Sequence, residues 1–171
     1  VQCGNCVQVC PTGALTDARD KTQGRKTPLK QTSTICTYCG IGCRVTLHTD
    51  PISHKIMHVT GDNNSPVNDG MLCVKGRYGF DFINSQQRLT TPLLRKNGQL
   101  VEVSWDEASR FIADKLSSIR AKHGNNAIAG LASAKATNED NYLFQKFFRS
   151  VIGTNNIDHC ARLCHASTVT E

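Results

Sequence analysis

Four cysteines, Cys36-x2-Cys39-x3-Cys43 and then Cys73 after 29 intervening residues, constrain this chain more than any other feature. Thiols from one tight loop and one distant point must converge. The segment between Cys43 and Cys73 therefore has to fold back on the loop. Gly40 and Gly42 let the loop turn around a metal group, with backbone N–H groups near its sulfides. Four thiolates in this arrangement can enclose a [4Fe–4S] cube. Zinc is the blander reading, and a three-cysteine run with one distant ligand is unusual for a zinc finger.

A second group, Cys3, Cys6 and Cys10 followed by Pro11, resembles the last three cysteines of the bacterial ferredoxin run C-x2-C-x2-C-x3-C-P. The first cysteine of that run would fall immediately before Val1. The expectation is a chain cut inside a ferredoxin-type domain. Cys3 and Cys6 would serve one cluster and Cys10 another, because the fourth cysteine of such runs serves the other cluster. Nine cysteines in 171 residues, seven of them in two tight groups, read as metal sites rather than a disulfide framework. That places the chain in a reducing compartment, the cytoplasm.

The net charge is +6, and Lys21, Arg25, Lys26 and Lys30 form a basic stretch with little aromatic interleaving. It reads as a solvated linker, so no nucleic-acid partner is expected. No apolar stretch approaches the ~20 residues of a membrane-spanning helix. The first residue is Val1, so the absence of a targeting segment carries no weight.

The organisation falls into four parts. Residues 1–19 are the end of a ferredoxin-type domain, 20–32 a linker, 33–86 a small cluster-binding domain, and 87–171 the start of an α/β domain. Arg44–Thr49 and Lys55–Thr60 alternate as two strands joined by a turn at Asp50-Pro51. Lys75–Asn84 reads as a short helix packing Tyr78, Phe82 and Ile83. Leu100–Val103 reads as a strand. Ser104 and Glu107 form a capping box for a helix with the apolar stripe Ala108, Phe111, Ile112, Leu116 and Ile119, stopped by Gly124. A short strand is expected at Ala127–Ala132. A second helix starts at Asn138, with the stripe Leu143, Phe144, Phe147, Phe148, Val151 and Ile152, and ends at Gly153. A strand at Asn156–Asp158 and a helix after Arg162 follow. Strand–helix alternation of this kind is most economically an α/β fold with a parallel sheet.

Near the end lies Asp158-His159-Cys160-Ala161-Arg162-Leu163-Cys164-His165. Cys164 offers a soft thiolate, and His165 beside it is the side-chain type that ordinarily titrates nearest neutral pH. A strand-to-helix turn at the carboxyl edge of a sheet is where α/β proteins place ligands. Cys160, four residues before Cys164, reads as a small buried hydrophobe. A zinc site using Cys160, Cys164 and His159 or His165 is the sharper rival.

Cys36–Cys43, Cys73-Val74-Lys75-Gly76-Arg77 and Arg88-Leu89-Thr90-Thr91-Pro92-Leu93 resemble the N-terminal region of the molybdopterin oxidoreductases that use bis(molybdopterin guanine dinucleotide). The stretch from Ile152 to His165 is similar to formate dehydrogenase catalytic (alpha) subunits of the cysteine type. The resemblance implies that Cys164 binds molybdenum or tungsten, that His165 serves in catalysis, and that Lys75 lies between the cluster and a pterin. A cation there also favours the reduced, more negative cluster. Nitrate reductases of this family usually have methionine where His165 stands, which favours formate. Implied partners are formate and electron-transfer subunits, including an NAD-reducing diaphorase subunit. Another molybdopterin oxidoreductase such as a nitrate reductase, or an electron-transfer protein like the large iron–sulfur subunit of complex I, is the alternative. On this resemblance the chain is an N-terminal fragment, inactive alone, whose formate-holding arginine lies beyond Glu171.

Overall fold

A computed structural model describes residues 2–18 and 28–169. They form two compact units, Val1–Arg88 with Lys135–Asn138, and Leu89–Ala134 with Glu139–Glu171. The basic residues Lys21, Arg25 and Lys26 lie outside the described residues.

The first unit opens with a single helical turn, α1 (Asn5–Gln8). Three antiparallel strands follow in the spatial order β1 (Lys30–Ile35), β2 (Arg44–Thr49), β3 (Ile56–Gly61). The two strands expected from alternation are present as β2 and β3. Their turn is fixed by Asp50, whose Oδ1 accepts the N–H groups of Ile52 at 2.8 Å and Ser53 at 3.3 Å. Strand β1 is a correction, because the stretch read as linker becomes sheet at Lys30. It pairs with β2 from Lys30↔Thr49 to Ile35↔Arg44, and every residue in it is exposed. A polar edge strand has no apolar alternation, so only the open hydrogen-bonding edge of β2 specifies it.

The core of this unit is Val45, Ile56, Val59 and Leu72, with Cys36, Cys43, Leu47 and Phe80 packed against it. The expected Lys75–Asn84 helix is two pieces, α2 (Val74–Tyr78) and a 3-10 helix, Gly79–Asn84. Phe82 and Ile83 are exposed rather than packed inside. The tighter 3-10 turn rotates them off the face that Phe80 presents to the core.

The second unit begins with a hairpin, β4 (Leu93–Lys96) and β5 (Gln99–Glu102), paired antiparallel. The strand expected at Leu100–Val103 therefore belongs to a hairpin and not to the parallel sheet. Asn97-Gly98, both at positive φ, make its two-residue turn. Helix α3 (Trp105–His123) starts where Ser104 Oγ accepts the Glu107 N–H at 3.2 Å. The capping box is only half made, because the Glu107 carboxylate pairs with Lys96 Nζ at 2.6 Å instead of reaching back.

Strands β6 (Gly130–Ala132) and β7 (Ile157–His159) pair parallel, joined by α4 (Asn138–Lys146) and a π-helical extension, Phe147–Ile152. This is the expected strand–helix–strand unit. Gly130 must be glycine, since a Cβ there would stand 2.6 Å from the Phe148 ring. Ile128, Phe148 and Ile152 form the core, with Leu116, Phe144 and Ile157 against it. The long apolar stripes are mostly uncovered. Phe111, Ile112, Ile119, Leu143, Phe147 and Val151 are exposed. A two-stranded sheet is too narrow to cover both flanking helices. After β7 come two short helices, α5 (Ala161–Cys164) and α6 (Ala166–Val169). The first begins just before Arg162, where it was expected after it.

Candidate metal centres

The four-cysteine group is assembled by the first sheet. Cys36 follows β1, Cys43 precedes β2, and the Cys36 N–H donates to the Cys43 carbonyl at 2.8 Å. That bond closes the loop and brings the first and last thiols of the run to the sheet end. Gly42 turns the chain at φ 76°, a conformation that costs glycine least. Cys73 occupies the N-cap position of α2, with no side-chain capping bond. The four cysteines, with Lys75 and Gly76, line a cavity of about 230 Å³. Burial pushes the Cys36 thiol up, and its neighbours Cys73 and Cys39 add to this. Cys43 is pushed up by burial first, then by Cys36, Cys39 and Cys73. Thiolates so close repel one another until a cationic group lies among them.

The donor set and the space fit an iron–sulfur cluster. All four donors are soft thiols around one cavity, and a Cβ on Gly76 would stand 3.6 Å from Cys36 Sγ, at its wall. Among the described residues no three His, Cys, Asp or Glu side chains close on a single ion. The thiols ring a space instead.

Cys3 precedes α1, Cys6 lies within it and Cys10 follows it. The Cys10 sulfur is hydrogen-bonded to Thr12 Oγ1 at 3.5 Å. That bond, helped by the backbone of Leu15 and Thr12, lowers its pKa to about 7. The segment is pinned to α2 by a residue that the sequence does not advertise. Arg77 is 6% exposed. It donates from Nε to the Cys3 carbonyl, from Nη1 to Gln8 Oε1 and from Nη2 to Asn5 Oδ1, each at 2.8 Å. Burial draws its pKa down, opposed mainly by Tyr78 and Cys3. On α2 Lys75 and Arg77 are two residues apart and so point to different sides.

Cys164 and His165 stand just past the carboxyl end of β7, on α5 and its cap. The turn is built by Cys160, whose carbonyl accepts the Cys164 N–H at 3.0 Å, and by Arg162 Nε on Asp158 Oδ2 at 2.7 Å. This bond, with the His159 N–H, holds the Asp158 carboxyl below its ordinary range. Both Cys164 and His165 are exposed. Cys160 is a correction, for it is exposed rather than buried. Its sulfur accepts the Ala134 N–H at 3.3 Å. Ala134 follows the carboxyl end of β6, so Cys160 ties together the carboxyl ends of both parallel strands. An exposed soft thiol at that edge is a suitable donor for a heavy metal.

Residues 29–85 match the family described as molybdopterin oxidoreductase Fe4S4 domain, and residues 88–171 match the family described as molybdopterin oxidoreductase. The chain belongs to the molybdopterin oxidoreductases. Residues 1–16 match a 4Fe-4S binding domain. Proteins named "Putative formate dehydrogenase" from Staphylococcus aureus strains MRSA252 and USA300 are 48% and 47% identical over 156 residues. Those residues are 91% of this chain and 15% of each relative. The chain thus spans a small part of the length of the relatives it matches. As a molybdopterin oxidoreductase it pairs iron–sulfur clusters with a molybdopterin cofactor. Among the described residues no helix is long and apolar enough to cross a membrane.

Proposed function

We propose that the chain is part of the catalytic subunit of a formate dehydrogenase. The single observation that carries this reading is Cys164-His165 at the carboxyl edge of the parallel strand pair, in a chain nearly half identical to proteins named for that activity. Formate loses its C–H bond and becomes CO2, one proton and two electrons. When bound, molybdenum or tungsten held by bis(molybdopterin guanine dinucleotide) supplies the two-electron acceptor.

The chain's own residues divide the remaining work. Cys164 is the protein ligand of that metal, and its thiolate tunes the metal's electron affinity. His165, next along the chain, takes up the proton at an imidazole nitrogen. Cys36, Cys39, Cys43 and Cys73 hold the first [4Fe–4S] cluster. Lys75, on the wall of the same cavity, places a positive charge beside it and favours its reduced state. Cys3 and Cys6 would hold the next cluster and Cys10 would contribute to a further one, with NAD, reached through partner subunits in the cytoplasm, as the final acceptor.

Metal analysis of the intact protein tests this reading. The expected result is iron together with molybdenum or tungsten, with the heavier metal lost or its formate activity abolished in Cys164→Ala while iron stays. Iron without either heavier metal would instead favour a pure electron-transfer protein.

A further inference from the structure

The two cysteine groups of the first unit are joined by a hydrogen-bonded bridge made from three side chains, Arg77, Asn5 and Gln8. Asn5 Oδ1 accepts both Arg77 Nη2 at 2.8 Å and the Leu72 N–H at 3.1 Å. Leu72 is the residue before Cys73. Arg77 Nε grips the carbonyl of Cys3. Gln8 completes the bridge from the far side. Its Oε1 accepts Arg77 Nη1 at 2.8 Å and the Gly61 N–H at 3.0 Å, and its Nε2 donates to the Gly70 carbonyl at 2.7 Å.

The same short helix therefore serves both groups. Its first turn presents Lys75 to the Cys36/Cys39/Cys43/Cys73 cavity, and its buried Arg77 clasps the loop of Cys3 and Cys6. A solvent-facing arginine would gain little from such contacts. The three hydrogen-bond acceptors of this buried guanidinium are neutral oxygens, and Cys3 and Cys6 are among the groups its charge acts on, together with Tyr78 and Asp17. A planar fork also fixes direction, which a lysine ammonium does not.

We propose that Arg77 is the positioning residue of the electron relay. It fixes the cluster carried by Cys3 and Cys6 at a set distance and orientation from the cluster carried by Cys73, and its charge raises the former's reduction potential. This rests on the reading of both cysteine groups as iron–sulfur ligands. The step it serves is the passage of one electron from the Cys73-side cluster, which is oxidised, to the Cys3-side cluster, which is reduced. No bond forms or breaks.

The test uses the intact protein, purified anaerobically, as unaltered chain and as Arg77→Met, Arg77→Lys and Asn5→Ala. Iron content, redox titration and the EPR spectrum of the fully reduced state are compared. Arg77→Met is expected to keep its iron, to shift the Cys3-side cluster to a more negative potential, and to change the magnetic interaction between the two reduced clusters. Arg77→Lys retains the charge but not the fork. Its potential should stay near the unaltered value while the interaction changes. Asn5→Ala removes the link to Leu72 and should change the interaction with no loss of charge.

Retained iron with unchanged potential and unchanged interaction in Arg77→Met would overturn the proposal. If Arg77→Met fails to fold, Asn5→Ala decides, and an unchanged interaction there overturns it. Absence of iron from the N-terminal group of the unaltered protein would overturn the cluster reading, and this proposal with it.

Discussion

Cys36 and Cys43 sit partly buried against Val45 and Leu72, and burial keeps both thiols protonated to higher pH than an exposed cysteine. Metal loading must displace those protons, so loading is favoured by rising pH. Replacing Cys73 with serine should remove one cluster's worth of iron from the intact protein and the matching share of its brown absorbance, read by iron assay and visible spectroscopy. A second residue-scale expectation concerns the turn before Cys164. Asp158 titrates below its ordinary range because Arg162 and the His159 N–H bond its charged form. Its contribution to the turn is therefore present above the ordinary carboxylate pKa and is lost as pH falls through the lowered value. In Arg162→Gln the Asp158 carboxyl should titrate at higher pH, as followed by NMR. An unmoved titration would show that the pair does not hold the turn. The cysteines and Ser104 were legible because their chemistry demands fixed spacing. Arg77 was not, since nothing in a sequence marks which arginine will be buried.

Among the elements, those with a strong pattern formed where the pattern placed them. Strands β2 and β3 alternate, and α3 has a cap, a stop at Gly124 and about five turns between. Strand β1 has no alternation, because both its faces are exposed, and it takes its register from β2. The hairpin strand β4 could have been found from Asn97-Gly98, whose positive φ values suit a tight hairpin turn. The helices carry long apolar stripes, yet burial depends on what a face meets, and a two-stranded parallel sheet meets little of them. The cap on α3 gives an element-scale measurement. Ser104→Ala leaves the Glu107 N–H without its acceptor and should cost about 1 kcal/mol. The denaturant midpoint should fall with an unchanged slope. The same substitution should leave iron loading untouched, because Ser104 lies in the second unit and the cluster cysteines in the first.

For the molecule as a whole, the two units divide the chemistry. The first gathers both cysteine groups around one small sheet, and the second carries Cys164 and His165 at the edge of a parallel strand pair. The cluster chemistry was readable from spacing alone, since thiolates in C-x2-C runs have few other uses at this density. The substrate was not, because a thiol and an imidazole state a metal ligand and a proton acceptor without stating what is oxidised. Only the likeness of the stretch around Cys164 to formate dehydrogenases supplies it. The measurement that tests this most directly adds formate, with no other reductant, to the intact, metal-loaded and oxidised protein under anaerobic conditions, followed by EPR. The account predicts the signals of reduced [4Fe–4S] clusters, and their absence in Cys164→Ala. Clusters that stay oxidised with formate, in protein whose iron and molybdenum or tungsten are in place, would contradict it.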